Sequence, residues 1–366
     1  MSPKGLKILY VITSLRFGGA EKLVVELSLR LKRDGHEVEV FLLDSTDTPL
    51  VKLLEDEGVL IYKASKGYFQ MWNLFQFSKL KKLLRKNKYN IVHTHNTPAQ
   101  ILAYLAKSRE NTATTFITTE HNTFNRRRVL PLVRLFDRKM YGFYDKVICV
   151  SDGTRINLLR YLSSPIIDNK YVTIYNGVDF SKYREGKIEK PDEYKEKVVI
   201  LMVAAFRKQK DQPTLIRALK HLPENYVVWL AGDGIRRIKC ERWVKQLNLE
   251  NRVIFLGNRT DIPALYGMAD IIAISSHYEG MSLSSIEALA SGKPMIASDV
   301  EGLREIVGKV GILFREGDEK DLSEKILSLK DHEEVAEKNI ISGSSCIEEF
   351  DIYKTYTEYK KIYSRL

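Results

Sequence analysis

The sequence predicts an α/β protein built from two doubly wound parallel-sheet domains. Three observations carry this reading. Short runs rich in Val and Ile recur along 366 residues, each followed by a longer stretch of helical pattern. These runs are often apolar throughout, as parallel strands covered on both faces should be. Eleven such runs exceed what one open sheet ordinarily carries, which divides the chain in two.

In order, the first half holds strands at KILYVIT (7–13), VEVFLL (38–43), NIVHTH (90–95), TFITTEH (115–121), DKVICVS (145–151) and YVTIYNG (171–177). The second half holds VVILMVA (198–204), YVVWLAG (226–232), RVIFLG (252–257), DIIAIS (270–275) and PMIAS (294–298). The polar stretch REGKIEKPDEYKEK (184–197) separates them. The expected organisation is a first domain over 1–184, a linker over 185–197 and a second domain over 198–345. A C-terminal helix over 346–366 is expected to return onto the first domain. Hydrophobic residues at 44% and charged residues at 29% fit a globular protein in water, and no apolar run reaches the ~18 residues that span a bilayer. The start, MSPKGLKILYVIT, is basic then apolar without an A-x-A cleavage pattern, so a cytoplasmic chain is expected. Cys149, Cys240 and Cys346 are scattered, which supports neither a disulfide framework nor a zinc site.

The net charge of +11 lies wholly in the first half: residues 1–185 hold 30 Lys and Arg against 18 Asp and Glu. It concentrates in KLKKLLRKNK (79–88) and NRRRVLPLVRLFDRK (125–139). Such a surface attracts anionic membranes or other polyanions, and the alternative for 79–88 is an ordinary solvated helix face. The basic runs lack interleaved aromatic platforms, so nucleic acid is not an expected partner.

Doubly wound sheets bind ligands beyond the carboxyl ends of their strands. Those ends carry FGGAEK (17–22), His93, His95 and His121, then Arg207–Lys210, Gly232-Asp233-Gly234 and the segment from Glu279 to Glu287. No G-x-x-x-x-G-K-[ST], G-x-G-x-x-G or H-E-x-x-H is present, which argues against a P-loop, a dinucleotide or a dedicated metal site. His93 and His95 alternate on one strand and could imitate a metal pair. Without a third ligand they read as polar residues at a cleft edge.

HYEGMSLSSIEALASGKPMIASDVEG (277–302) carries the most chemistry. It reads as a turn followed by a helix that Gly292 and Pro294 end. A helix start presents unpaired N–H groups and the positive end of its dipole, a setting that suits phosphate, and small residues let a ligand approach. Glu279 and Glu287 are placed to accept hydrogen bonds from sugar hydroxyls on either side of that phosphate. The alternative for Glu287 is a capping box with Ser284. That alternative leaves Glu279 and the glycine turn unexplained.

The E-x7-E spacing of Glu279 and Glu287 resembles the signature of retaining GT-B glycosyltransferases, family 4 in particular. The resemblance extends along the chain through FGGAEK (17–22), IYNGVD (174–179), QKDQPTLIRAL (209–219), AGDG (231–234) and FLGNRTDIPALYGMADIIAISSHYEG (255–280). It implies two Rossmann-like domains facing across a cleft. By position, Glu287 binds the ribose of a nucleotide sugar, and Glu279 binds the transferred sugar. Gly280 and the backbone of Met281, Ser282 and Leu283 hold sugar and phosphate. Lys210 contacts the leaving diphosphate, Asn258 and Arg259 lie beside the base, and Gly232 lies in the nucleotide-contacting part. Gly18 and Gly19 form an acceptor and phosphate loop, and His121 lies close to the reacting centre. The family's arginine five residues before the lysine is Ala205 here, with Arg207 as its substitute or as an ordinary exposed arginine.

The resemblance implies transfer of a hexose or N-acetylhexosamine, from a UDP-sugar ahead of a GDP-sugar, to a glycan hydroxyl with retained configuration. The nucleotide sugar is a substrate, and neither metal nor cofactor is expected. A polyprenyl-diphosphate-linked acceptor at an anionic membrane surface gives the basic half a use, with 79–88 and Arg126–Arg128 as the expected contacts. Competing readings are a soluble-acceptor transferase, a sugar-nucleotide epimerase on the same fold, and a degenerate transferase lacking the arginine at Ala205.

Overall fold

The computed structural model describes residues 5–16, 18–44, 46–65, 74–107, 113–122, 128, 130–165, 169–183, 188–279, 281–330 and 349–365. Phe17, Arg126, Arg127, Gly280 and Cys346 lie outside them, as does part of the expected linker. The chain forms two compact units: residues 1–175 with 356–366, and residues 176–355.

Unit 1 alternates strand and helix: β1 (Lys7–Ile12), α1 (Gly19–Arg33), β2 (Glu37–Asp44), α2 (Pro49–Asp56), β3 (Leu60–Ser65), α3 (Leu74–Lys86) and β4 (Ile91–His95). It continues through α4 (Thr97–Ala106), β5 (Thr115–Glu120), α5 (Pro131–Phe143), β6 (Lys146–Cys149), α6 (Asp152–Leu162) and β7 (Tyr171–Thr173). All its strands pair in parallel in the order β3-β2-β1-β4-β5-β6-β7. Chain order reverses between β1 and β4, where Tyr10 lies opposite His93.

Unit 2 repeats the plan with β8 (Val198–Val203), α7 (Gln212–Ala218), β9 (Tyr226–Ala231), α8 (Arg237–Gln246), β10 (Val253–Gly257), α9 (Ile262–Met268) and β11 (Ile271–Ile274). Then come α10 (Leu283–Ser291), β12 (Met295–Ser298), α11 (Glu301–Val310), β13 (Ile312–Phe314) and α12 (Glu319–Lys330). The parallel order is β10-β9-β8-β11-β12-β13, with the switch between β8 and β11. A last helix, α13 (Ile352–Ser364), contributes its residues from Tyr356 onward to unit 1.

Both sheets are buried on both faces, because helices cover them. On one face of unit 1, Leu9, Val11, Phe41, Val92 and Phe116 pack with Leu80, Leu84 and Ala103 from the helices. In unit 2, Ile200, Met202, Val228 and Leu230 pack with Leu215, Val244 and Ile326. Each fully buried aliphatic side chain contributes about 1.5–3 kcal/mol. From α13, Tyr359 and Tyr363 enter the unit 1 interior. Tyr356 donates to Asp34 at 2.8 Å and Lys360 pairs with the same carboxylate. Lys360 first, then Tyr356, holds the Asp34 carboxyl below its usual range. Among the described residues no helix is long and apolar enough to cross a membrane.

The sequence reading lacked β3 and β13. Both lie at sheet edges, where one side of the strand is unpaired and burial is partial.

Candidate active site

In unit 2, the loops after β8 and β11 leave the two strands that flank the switch point. They are tied backbone to backbone: Lys210 and Ser276 form an antiparallel bridge, Asp211 N–H donates to Ser275 O at 2.9 Å, and His277 N–H donates to Gln209 O at 2.9 Å. The Ser275 hydroxyl adds a bond to Asp211 O at 2.7 Å. Asp211 in turn caps α7 by accepting from Thr214 N–H. This frame brings Lys210 and Glu279 into an ion pair, with the Glu279 side chain 5% exposed and that of Lys210 17%. Ser276 Oγ donates to Glu279 Oε1 at 2.7 Å, and Gln209 Nε2 donates to Oε2 at 3.3 Å. The sequence reading did not place Ser276 or Gln209 beside Glu279; the signal for Ser276 was the polar pair Ser275-Ser276 ending an apolar strand, and Gln209 opens the segment QKDQPTLIRAL (209–219).

Glu279 is therefore a fixed carboxylate already accepting three donors, an acceptor for further hydroxyls more than a free base. Lys210 uses one of its three N–H groups on Glu279 and can turn the others to an anion.

Beyond Glu279, α10 begins at Leu283 with Ser282 at its N-cap and no side-chain cap bond. Its first N–H groups lack intrahelical partners. Ser282 is buried, and Met281 and Leu283 are partly exposed at the same end. The capping-box alternative for Glu287 does not hold. With Ser282 as cap, Ser285 occupies the third helical position and Glu287 the fifth. Glu287 is 3% exposed and lies beside Tyr266, whose phenol donates to Ser284 O at 3.0 Å and is pushed well up by burial first and by the Glu287 carboxylate second. Gly292 ends the helix in the left-handed conformation at φ 65°.

Gly232, after β9, has φ 136°, and a Cβ there would lie 2.2 Å from Ala204 O. Only glycine lets this turn pass so close to the loop that leads to Lys210. Arg207 is exposed and in no ion pair among the described residues, and Ala205 O accepts from Gln212 at 3.2 Å. Asn258 is exposed, whereas Arg259 forms a two-point pair with Asp261 at 2.8 and 2.5 Å. His277 bonds Glu316 at 2.7 Å.

In unit 1, Gly18 caps α1 with extended backbone and Gly19 opens it. The Glu21 carboxylate folds back to within 2.2 Å of where a Gly18 Cβ would stand. His121, just past β5, is partly exposed, and burial of its ring lowers its pKa to about 4, so it is neutral at pH 7. His93 and His95 do face one side, but the cleft-edge expectation fails: both are fully buried, and desolvation pulls both far below the usual histidine range. No metal-binding group occurs among the described residues. Arg128 also departs from expectation. It lies beneath the surface, donating to Glu120 at 2.8 Å and stacking over Tyr161, and is not a free membrane contact.

Residues 17–182 match the family model described as Glycosyltransferase Family 4, and residues 184–343 match Glycosyl transferases group 1. Two Rossmann-like parallel sheets carrying this pair of domains define a GT-B glycosyltransferase, and the chain belongs to that family of hexosyltransferases. Among its relatives, N-acetyl-alpha-D-glucosaminyl L-malate synthase of Bacillus anthracis is 27% identical, covering 94% of this chain and 93% of that one. The UDP-Gal:alpha-D-GlcNAc-diphosphoundecaprenol alpha-1,3-galactosyltransferase of Escherichia coli is also 27% identical, covering 73% of each. Anabaena HepE, solved in complex with UDP and glucose, shares the fold with TM-score 0.83 at 20% identity, over 99% of this chain and 100% of that one.

Proposed function

We propose that the chain moves a hexose or N-acetylhexosamine from a nucleoside-diphosphate sugar, UDP ahead of GDP, to a hydroxyl of a lipid-linked glycan. Configuration is retained, and the product belongs to capsule, O-antigen or exopolysaccharide biosynthesis. The observation that carries this reading is the Lys210–Glu279 pair, held by the bridged loops at the switch point of unit 2.

The barrier to such transfer is charge separation, positive on the sugar and negative on the departing diphosphate. Lys210 and the N–H groups at the start of α10 meet the growing negative charge. Glu279 holds the transferred sugar's hydroxyls, Glu287 the ribose, and the backbone of Met281, Ser282 and Leu283 the groups between them. The departing phosphate takes the acceptor's proton, so no protein nucleophile, metal or cofactor is required. The names of the galactosyltransferase relative and of the UDP-bound neighbour support UDP and a diphosphate-linked acceptor.

A membrane-facing acceptor gains support from α5. Leu132 and Leu135 are 82% and 60% exposed there, beside exposed Arg138 and Lys139, chemistry that suits an anionic bilayer surface. The double variant Leu132→Asp, Leu135→Asp should lose flotation with anionic vesicles, and unchanged flotation removes this part of the reading. The malate synthase relative favours a small soluble acceptor as a second reading.

The deciding experiment is a panel of UDP- and GDP-sugars in thermal shift and product analysis, on wild type and Glu287→Ala. A shift with one nucleotide sugar that the variant loses supports the donor site. Transfer to a lipid-linked acceptor alone selects the first reading, and conversion of the donor without any acceptor selects an epimerase.

A further inference from the structure

Beneath His121 the fold builds a stack of imidazoles. The rings of His93 and His95, both on β4, are 4.4 Å apart between centroids, and His95 lies 5.3 Å from His121. His93 is locked at both nitrogens, Nδ1 to the Tyr363 hydroxyl at 2.6 Å and Nε2 to Thr119 Oγ1 at 2.8 Å. It forms a fixed floor under His95. His95 Nδ1 faces His121 Nε2 at 3.0 Å. The other nitrogen of His95, Nε2, is sealed from solvent and has no partner among the described residues.

A neutral imidazole carries one N–H and one bare nitrogen. Two nitrogens 3.0 Å apart share one proton between them, which leaves two arrangements. With its proton on Nε2, His95 would bury an N–H with no acceptor among the described residues. With its proton on Nδ1, His95 donates to His121, and the sealed atom is a bare acceptor. Orphaned buried N–H groups are the rarer and costlier of the two. His121 must then accept at Nε2 and carry its own proton on Nδ1. That atom is not among the sealed unpaired nitrogens and bonds no described residue.

We propose that His95 is a positioning residue: its Nδ1–H fixes His121 in the Nδ1–H tautomer, which offers a neutral hydrogen-bond donor to an oxygen of the bound sugar or phosphate. In this state His121 has no free lone pair, so it cannot act as a base. The inference rests on the reading of His121 as a residue of the reacting centre.

The test labels the full chain with ¹⁵N-histidine and reads ring tautomers by long-range ¹H–¹⁵N correlation, with His121→Ala assigning the His121 signals. Wild type should show the Nδ1–H pattern at His121. His95→Phe should shift it toward Nε2–H and lower UDP release from the most stabilising UDP-sugar roughly tenfold, as one misplaced hydrogen-bond donor would. His95→Asn, which keeps a donor at the Nδ1 place, should restore both. A wild-type His121 protonated on Nε2, or a His95→Phe chain with tautomer and rate unchanged, overturns the inference alone. A His121→Ala chain with full activity removes the reading beneath it, and the functional half of the inference falls with it.

Discussion

At the switch point of unit 2, the loops after β8 and β11 present charge: Lys210 against Glu279, with Arg207 exposed nearby in sequence. At the switch point of unit 1, β1 and β4 carry Tyr10, His93 and His95, all neutral and sealed, with Gly18 and Gly19 at the following helix start. The same winding thus carries two chemistries. Ions on bridged loops suit a ligand that gains charge as it leaves. Neutral donors over a rigid floor suit a partner that must be oriented without being ionised. Charge in unit 1 stands beside these rings, in the Arg16–Asp44 pair and the buried Glu120–Arg128 pair.

The Glu120–Arg128 pair gives the largest expected effect. Arg128→Ala leaves the Glu120 carboxylate, 2% exposed, without its cation, and should destabilise the protein by about 3–5 kcal/mol. Calorimetry reads this as a lower melting temperature, and Glu120→Gln in the same chain should recover part of it. A melting temperature unchanged by Arg128→Ala would erase the distinction between buried and working charge. Next comes Lys210→Ala. It should cost ~10²–10³ in kcat by analogy with lost oxyanion donors, with a smaller fall in melting temperature than Arg128→Ala, because the buried Glu279 carboxylate keeps Ser276 and Gln209 as donors. Kinetics within tenfold of wild type would make Lys210–Glu279 a merely structural pair.

The smallest effect is a pH slope. Burial lowers the pKa of His93, His95 and His121, so the folded chain stays neutral there while the unfolded chain takes up protons below pH ~6.5. The unfolded state binds more protons between that value and about 4, so stability falls as pH drops through the window. Each histidine contributes about 1.4 kcal/mol per pH unit while it titrates. Urea midpoints from pH 7 to 5 should fall, and fall less in His95→Asn. A flat profile in wild type would mean the three rings are not held neutral.

Most interior strands were legible because burial on both faces writes a run rich in Val and Ile into the chain, as in β1, β8 and β9. β3, with exposed Leu60 and Lys63, and β13, three residues long, carry no such run. Glu279 and Lys210 were legible as types at a strand end, but their pairing was not, since it depends on a bridge between loops 69 residues apart. The Ser284-x-x-Glu287 spacing suggested a cap that Ser282 forestalls by starting the helix two residues earlier. Arg128 looked like one of three surface arginines because local sequence does not show that Glu120, eight residues before it, turns inward.

The tyrosines of α13 have a consequence for how the protein is made. Tyr359 and Tyr363 supply hydroxyls to Thr119, His93 and Tyr10, and Lys360 supplies a cation to Asp34. All four recipients leave the ribosome early, and their partners follow only after the whole of unit 2. The separations run from 240 to 353 residues, so at 5–20 residues per second the wait is roughly 10–70 s. The domain synthesised first is therefore the last to be completed. In the interval His93, Thr119 and Tyr10 lack the hydroxyls that α13 brings.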